Sequence, residues 1–282
     1  MKILVSGGTG HLGSAIAARL VRDGHAVCVL ARRPGGDRDI EWRRGDLATG
    51  EGVANAVAGV DAVVHAATNS PVAQRGGFNI VDFVRSPTEV DIDGTKALLA
   101  AAERQGVQHF VHVSIVGLEQ MARINPYSRV KLAAEGVVRE SNVPWSIVRA
   151  TGFYWLLDRM LAKMARRRTL WLPTDVRMQA VDSDEFAPFV VAALHDGGRG
   201  ERPDFVGPQT LTMRELAEQY VAERGLERRI RSAPLPRRIK RALDAGNTSR
   251  TGNRGQRTWQ EWLRLHPAAA PTRGGTPLGI AA

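Results

Sequence analysis

Tyr127 and Lys131 are the residues of this 282-residue chain best placed to do chemistry together. Four apart on a helix, a phenol and an ammonium share one face a turn apart. The chain has only three tyrosines, so the coincidence is uncommon. A free phenol, with a pKa near 10, is a poor acid–base catalyst at neutral pH. A nearby cation favours the phenolate and lowers that pKa. Tyr127 then becomes a usable proton donor to a carbonyl oxygen, a role worth typically 10²–10⁴-fold. Ser114, at the carboxyl end of an apolar run, would hydrogen-bond the same oxygen. Taken singly, each residue also reads as structural: a surface tyrosine, a solvated lysine, a strand-end serine.

A second constellation lies at the start of the chain. Val5-Ser-Gly7-Gly8-Thr9-Gly10-His11-Leu12-Gly13 satisfies Gly-x-Gly-x-x-Gly and also Gly-x-x-Gly-x-x-Gly. Placed between a strand and a helix, such glycines let the backbone approach a pyrophosphate seated on the helix N-terminus. The candidate contacts are Gly7, Thr9, Gly10, His11, Leu12 and Gly13. A site selecting NAD would carry an acid about 20 residues on, for the ribose 2′-hydroxyl. Here Arg32 and Arg33 stand in its place. A guanidinium fork matches a phosphate and selects NADP(H) over NAD(H); two solvated loop arginines are the plainer alternative. Asp46 and Leu47 follow the third apolar run, where a side chain would meet adenine or simply close a turn.

These residues need a scaffold. Apolar runs at 3–5, 26–30, 40–42, 61–66, 110–116 and 145–148 alternate with helical patterns at 11–23, 51–58, 95–105 and from Pro126 to about 140. Asn125 is a good N-cap before a proline at the first helical position. Continuously apolar strands alternating with helices predict a doubly wound parallel sheet covered on both faces. After residue 150 the rhythm changes to helices at 153–168, 184–195 and 212–224. The expected organisation is a dinucleotide-binding domain over 1–152, a small, mainly helical substrate subdomain over 153–245, and a basic, largely irregular tail over 246–282. Phe153, Tyr154, Trp155 and Trp171 are expected either to line an apolar substrate pocket or to form that subdomain's core.

Composition narrows the partners. The net charge of +10 is carried almost wholly by residues after 221, where arginines far outnumber Glu223, Glu227, Asp244 and Glu261. A neutral body with a basic tail is no nucleic-acid-binding footprint; Trp259 and Trp262 are expected to dock a helix, leaving its arginines in water. The single cysteine, Cys28, excludes a disulfide framework and a multi-cysteine zinc site. Histidine spacing suggests no metal. No apolar run reaches the roughly 18–20 residues of a membrane span, and the apolar start before the glycines is too short for a signal-peptide core.

The motifs at residues 7–13, Val64-His-Ala-Ala-Thr68, Asp93-Gly-Thr95, Val113-Ser114, Tyr127-x-x-x-Lys131 and Val148-Arg-Ala-Thr-Gly-Phe153 occur in order at family spacing. The chain resembles an atypical or extended short-chain dehydrogenase/reductase of the NmrA-like, NAD(P)H-binding group over about residues 1–225. The resemblance implies a Rossmann fold with Tyr127 as general acid–base. Lys131 would hold the nicotinamide ribose and lower the tyrosine pKa, and Ser114 would orient the substrate carbonyl. Ala66, Ala67 and Thr68 match the segment lining the cofactor, and Ala150, Thr151, Gly152 and Phe153 match the one passing the nicotinamide. Asp91 stands where extended members usually carry asparagine, which argues against a sugar epimerase. The expected activity is NADP(H)-dependent oxidoreduction of a small carbonyl, enone or quinone-like compound. The expected protein is cytoplasmic, monomeric or homodimeric. The alternative is a catalytically silent NADP(H)-binding redox sensor, since NmrA-like proteins include such members.

Overall fold

The computed structural model describes residues 1–77, 85–198 and 200–267. The glycine-stopped apolar runs become strands, and the amphipathic segments between them become helices. The first half contains β1 (Lys2–Ser6), α1 (His11–Arg22), β2 (Ala26–Ala31), β3 (Ile40–Arg44), α2 (Val53–Val57), β4 (Ala62–His65), α3 (Pro71–Arg75), α4 (Gly94–Arg104), β5 (His109–Ile115), α5 (Leu118–Met121), α6 (Pro126–Arg139) and β6 (Trp145–Ala150). A π-helical turn, Glu89–Asp93, leads into α4. There follow α7 (Tyr154–Met164), β7 (Thr169–Leu172), β8 (Arg177–Met178), α8 (Ser183–His195), β9 (Gly200–Glu201), β10 (Phe205–Val206), β11 (Leu211–Thr212), α9 (Met213–Glu223), β12 (Arg229–Ser232), α10 (Arg237–Asn247), β13 (Asn253–Arg254) and α11 (Trp259–Leu265).

The main sheet runs β13-β10-β6-β5-β4-β1-β2-β3, with β9 beside β6, and its pairings are parallel. Successive strand residues feed opposite faces. Val5, Val64, Val111 and Val148 pack with Ile16 and Leu20 of α1 and with α8. Leu4, Val63, Phe110 and Ile147 pack with α2, α4 and α6. Each fully buried aliphatic side chain contributes roughly 1.5–3 kcal/mol. This doubly wound arrangement brings the carboxyl ends of β1, β2, β4, β5 and β6 to one edge.

The later half departs from the expected partition. α8 covers α1 through Phe186, Val190, Val191 and Leu194, so it completes the dinucleotide-binding layer rather than a separate subdomain. β9, β10 and β13 extend the same sheet. The segment expected to be irregular from 246 contributes β13 and α11. Gly252, at φ +113, permits this, because a Cβ there would lie 2.4 Å from the Asp204 carbonyl oxygen. α11 opens with a Thr258–Glu261 capping box and buries Trp259 and Trp262 against Tyr154, Leu216 and Tyr220, while Arg264 stays in water. The expected irregular stretch at 268–282, and residues 78–84 of the loop after β4, lie outside the described residues. Among the described residues no helix is long and apolar enough to cross a membrane.

Candidate functional site

The glycine loop is built for close approach. Gly7 has φ +78, and a Cβ on it would sit 2.6 Å from the Ala67 amide nitrogen. A Cβ on Gly13 would sit 2.1 Å from the Gly7 carbonyl oxygen. The loop is thereby pressed onto Ala66 and Ala67 beyond β4. α1 begins at Gly10 with no side-chain cap and no acid in its first turn. Its first amides therefore lack a side-chain acceptor, and with the helix dipole they favour an anion. Leu12 is buried beneath, and the His11 ring stacks on Trp155 of α7 at 4.8 Å.

Arg32 and Arg33 leave the end of β2 exposed, and neither makes a hydrogen bond or ion pair among the described residues. Arg44, absent from the sequence-derived candidates, is also exposed and unpaired, and its register partner is Ala31. Its signal was available as a basic residue ending the third apolar run. Asp46 closes a turn, its carboxylate accepting from the Ala48 amide at 2.9 Å. Leu47 is buried against Gly94.

Tyr127 enters α6 under the Asn125 cap, whose side-chain oxygen accepts from the Tyr127 amide at 2.9 Å. Its hydroxyl lies 2.9 Å from Thr68 Oγ1, which donates to Asp91 Oδ1 at 2.7 Å. Thr68 has spent its proton on Asp91, so Tyr127 donates to Thr68. Asp91 Oδ2 accepts from the Asn69 amide at 2.9 Å. Lys131 Nζ stands 3.6 Å from Asp91 Oδ1 and donates to the Val113 carbonyl at 3.2 Å. Lys131 and Asp91 are 3% and 1% exposed.

This geometry corrects one expectation. Desolvation by burial, with the Asp91 charge adding to it, raises the Tyr127 phenol above its ordinary value and outweighs the phenol's hydrogen bonding with Thr68 and Ser70. Lys131 does not lower it in this arrangement, because the ammonium is committed to Asp91 and Val113.

Behind Asp91 runs a buried chain. Thr95 Oγ1 donates to the Asp91 carbonyl at 2.5 Å, His65 Nε2 lies 2.9 Å from Thr95 Oγ1, and His65 Nδ1 lies 2.6 Å from Ser6 Oγ. Thr95 has used its proton, so His65 donates through Nε2 and accepts from Ser6 at Nδ1. Burial, with the Lys131 charge adding to it, holds His65 down to about 3. The His112 ring packs 5.2 Å from His65 and is likewise held well below its ordinary value.

Ser114 faces Glu135 of α6 without closing a well-formed hydrogen bond. Burial pushes the Glu135 carboxyl up, but hydrogen bonds outweigh it. Arg149 Nε and Nη2 donate at 2.8 and 2.7 Å and Arg139 at 2.8 Å, and the carboxyl is held below its usual value. This pins α6, and with it Tyr127 and Lys131, to β6. Beyond Ala150, Thr151 is buried with its hydroxyl unpartnered, and the Trp155 indole N–H is buried and unpartnered among the described residues. The Gly152 carbonyl accepts from the Val181 amide, and Phe153 packs on Phe186. Tyr154 joins the core under α11, and Trp171 points to solvent.

An uncapped helix start pressed by glycines, unpaired arginines at β2, and orphaned Thr151 and Trp155 donors along one edge suit a ligand with phosphates at one end and a hydrogen-bonding ring system at the other. The fold and this edge define a dinucleotide-binding α/β protein. Residues 7–197 match the NAD(P)H-binding family, and the chain belongs to it. A nicotinamide dinucleotide is its cofactor.

One relative is the (4-alkanoyl-5-oxo-2,5-dihydrofuran-3-yl)methyl phosphate reductase of Streptomyces griseus. It is 33% identical over 230 residues, 77% of this chain and 72% of that one. Another is the photosystem II assembly factor Ycf39 of Cyanophora paradoxa, 27% identical over 201 residues, 69% of this chain but only 59% of its own length. The solved UDP-glucose 4-epimerase of Thermotoga maritima shares the fold with a TM-score of 0.74 at 17% identity, over 94% of this chain and 97% of that one.

Proposed function

We propose that this protein is an NADP(H)-dependent reductase of a small carbonyl, enone or quinone-like substrate, working as a cytoplasmic monomer or homodimer. The observation that carries the reading is the array Tyr127–Thr68–Asp91–Lys131, which runs from half-buried Tyr127 and exposed Thr68 to the buried Asp91–Lys131 pair at the sheet edge reached from the glycine loop. The bound dinucleotide would supply hydride-transfer chemistry. Gly7, Thr9, Gly10, His11, Leu12 and Gly13 would hold its pyrophosphate, and Arg32 and Arg33 its 2′-phosphate. Ala66, Ala67 and residues Ala150, Thr151, Gly152 and Phe153 would flank its nicotinamide half, and Asp46 with Leu47 the adenine.

Tyr127 Oη would give a proton to the substrate oxygen, with Thr68 and Asp91 behind it as a hydrogen-bonded reserve. Lys131 would contribute positive charge once a ribose hydroxyl shares it with Asp91. Ser114 would turn from Glu135 to the substrate. Residues 153–245, apart from α8 and the strands of the main sheet, would shape the substrate pocket. The test is turnover of NADPH across a panel of carbonyl, enone and quinone substrates. Tyr127→Phe is expected to lower turnover about 10²–10⁴-fold with dinucleotide affinity little changed. Unchanged turnover would end the assignment.

One observation favours a second reading. The Lys131–Asp91 pair and the raised Tyr127 phenol describe a site already satisfied without a substrate, as in a dinucleotide-binding sensor. That reading predicts NADPH binding with no consumption across the same panel.

A further inference from the structure

β7 and β12 form a two-stranded parallel ribbon apart from the main sheet. Its faces are unlike. Leu170 and Leu172 are buried in the core beneath α7 and α9, with Ile230 packed against them. The opposite face carries Trp171, 61% exposed, directly across from Arg231, with Arg229 across from Thr169. Arg166, Arg167 and Arg168 precede β7, and the Arg229 amide donates to the Arg168 carbonyl at 3.1 Å, bringing that turn against β12. The side chains of Arg166, Arg167, Arg168, Arg229 and Arg231 are exposed and unpaired among the described residues. Segments 165–172 and 228–236 contain no Asp or Glu. Just beyond, α10 opens with exposed Arg237 and Arg238.

Trp171 and Leu265 are the most exposed large apolar side chains among the described residues, and the guanidiniums gathered around Trp171, between the flanking acids Asp175 and Glu227, ask for an anionic partner. We propose that this ribbon face docks the protein on an anionic phospholipid bilayer. Tryptophan favours the headgroup level, with its ring partly apolar and its N–H wet. Arginines beside it would meet lipid phosphates, each adding attraction at a negatively charged surface. Other occupants fit less well. Single-stranded nucleic acid is bound by several stacking aromatics along a basic groove, and here one tryptophan stands on the exposed face of the ribbon. A second copy of the same face would repel itself, and one tryptophan offers little of the apolar area a stable protein interface buries. The surface is independent of the dinucleotide site and would hold the reductase, or the sensor, at a membrane without spanning it.

Co-sedimentation of the full chain tests this. The probes are vesicles of phosphatidylcholine alone and of equal parts phosphatidylcholine and phosphatidylglycerol. The wild type is expected to partition onto the anionic vesicles and not the neutral ones, with affinity falling as salt rises. The Arg229→Gln, Arg231→Gln double variant is expected to lose roughly 10–30-fold, and Trp171→Ala roughly tenfold. Trp171→Phe should remove a blue shift of tryptophan emission on binding. All three positions are exposed, so the variants fold, and unchanged NADPH binding would verify that. No partition onto anionic vesicles, equal partition onto neutral ones, or insensitivity to all three variants would overturn the proposal. So would tighter binding to a single-stranded oligonucleotide, lost in the same variants.

Discussion

At the β2–β3 end of the cofactor edge, Arg32, Arg33 and Arg44 are exposed cations without partners. At the β4–β5 end, Tyr127, Thr68, Asp91 and Lys131 satisfy one another, with the Asp91–Lys131 pair in the interior. Water solvates the first set, so the fold does not need to pair it, and only a ligand gives those charges fixed partners. The two charges of the second set, Asp91 and Lys131, are cut off from water, where an unpaired charge costs several kcal/mol, so the fold must pair them before any ligand arrives. Affinity at the open end should therefore change with little effect on stability, and the closed end should not be alterable without one.

The largest effect falls on the closed end. Asp91→Ala strands the Lys131 ammonium and is expected to cost about 3–5 kcal/mol in urea unfolding. Asp91→Asn removes the charge, keeps an acceptor for only one of the Thr68 hydroxyl and the Asn69 amide, and should lower the Tyr127 phenol, read as tyrosinate absorbance in an alkaline titration. A phenol that does not move would mean that Asp91 adds nothing to the burial that raises it.

Next is the glycine loop. Gly13→Val forces a side chain into the Gly7 carbonyl, displaces the amides that face the pyrophosphate, and should weaken dinucleotide binding roughly 10²-fold. A loop that tolerates valine would contradict the close packing of Gly13 onto Gly7.

The buried histidines give a pH signature. His65 and His112 are held neutral, with folded pKa values below the unfolded 6.5. The unfolded chain binds the extra protons, so the stability is full above pH about 6.5 and is lost as pH falls. Each such histidine contributes a slope of about 1.4 kcal/mol per pH unit. His112→Leu should reduce the dependence of unfolding free energy on pH between about 6 and 5 by that amount, and an unchanged slope would remove His112 from the buried set. The smallest effect belongs to the open end: Arg44→Ala should weaken NADPH binding about threefold, within the range of an exposed ion pair, leaving NADH binding and unfolding midpoints unchanged.

The same contrast explains what was legible in the sequence. The parallel sheet, the glycine loop, the Asn125–Pro126 helix start and the Tyr127–Lys131 spacing are local signals, carried by short segments whose period or turn chemistry is complete in itself. Asp91 as the partner of Lys131 was not legible. The two are far apart in sequence, and a π-helical turn sets where Asp91 points. Nor was the raised Tyr127 phenol, because spacing places the lysine but not the carboxylate that occupies it. β9, β10 and β13, two residues each, are too short to show an alternation, and the His11–Trp155 stack joins α1 to a helix beyond the sixth main-sheet strand.

Titration calorimetry of one sample with NADPH and then NADH tests the central claim most directly, that the open end is built for a phosphate and the closed end is satisfied from within. The expected result is that both bind, NADPH about tenfold or more tighter, with the preference abolished in Arg32→Ala, Arg33→Ala and retained in Tyr127→Phe. Equal affinities, or tighter binding of NADH, would contradict it.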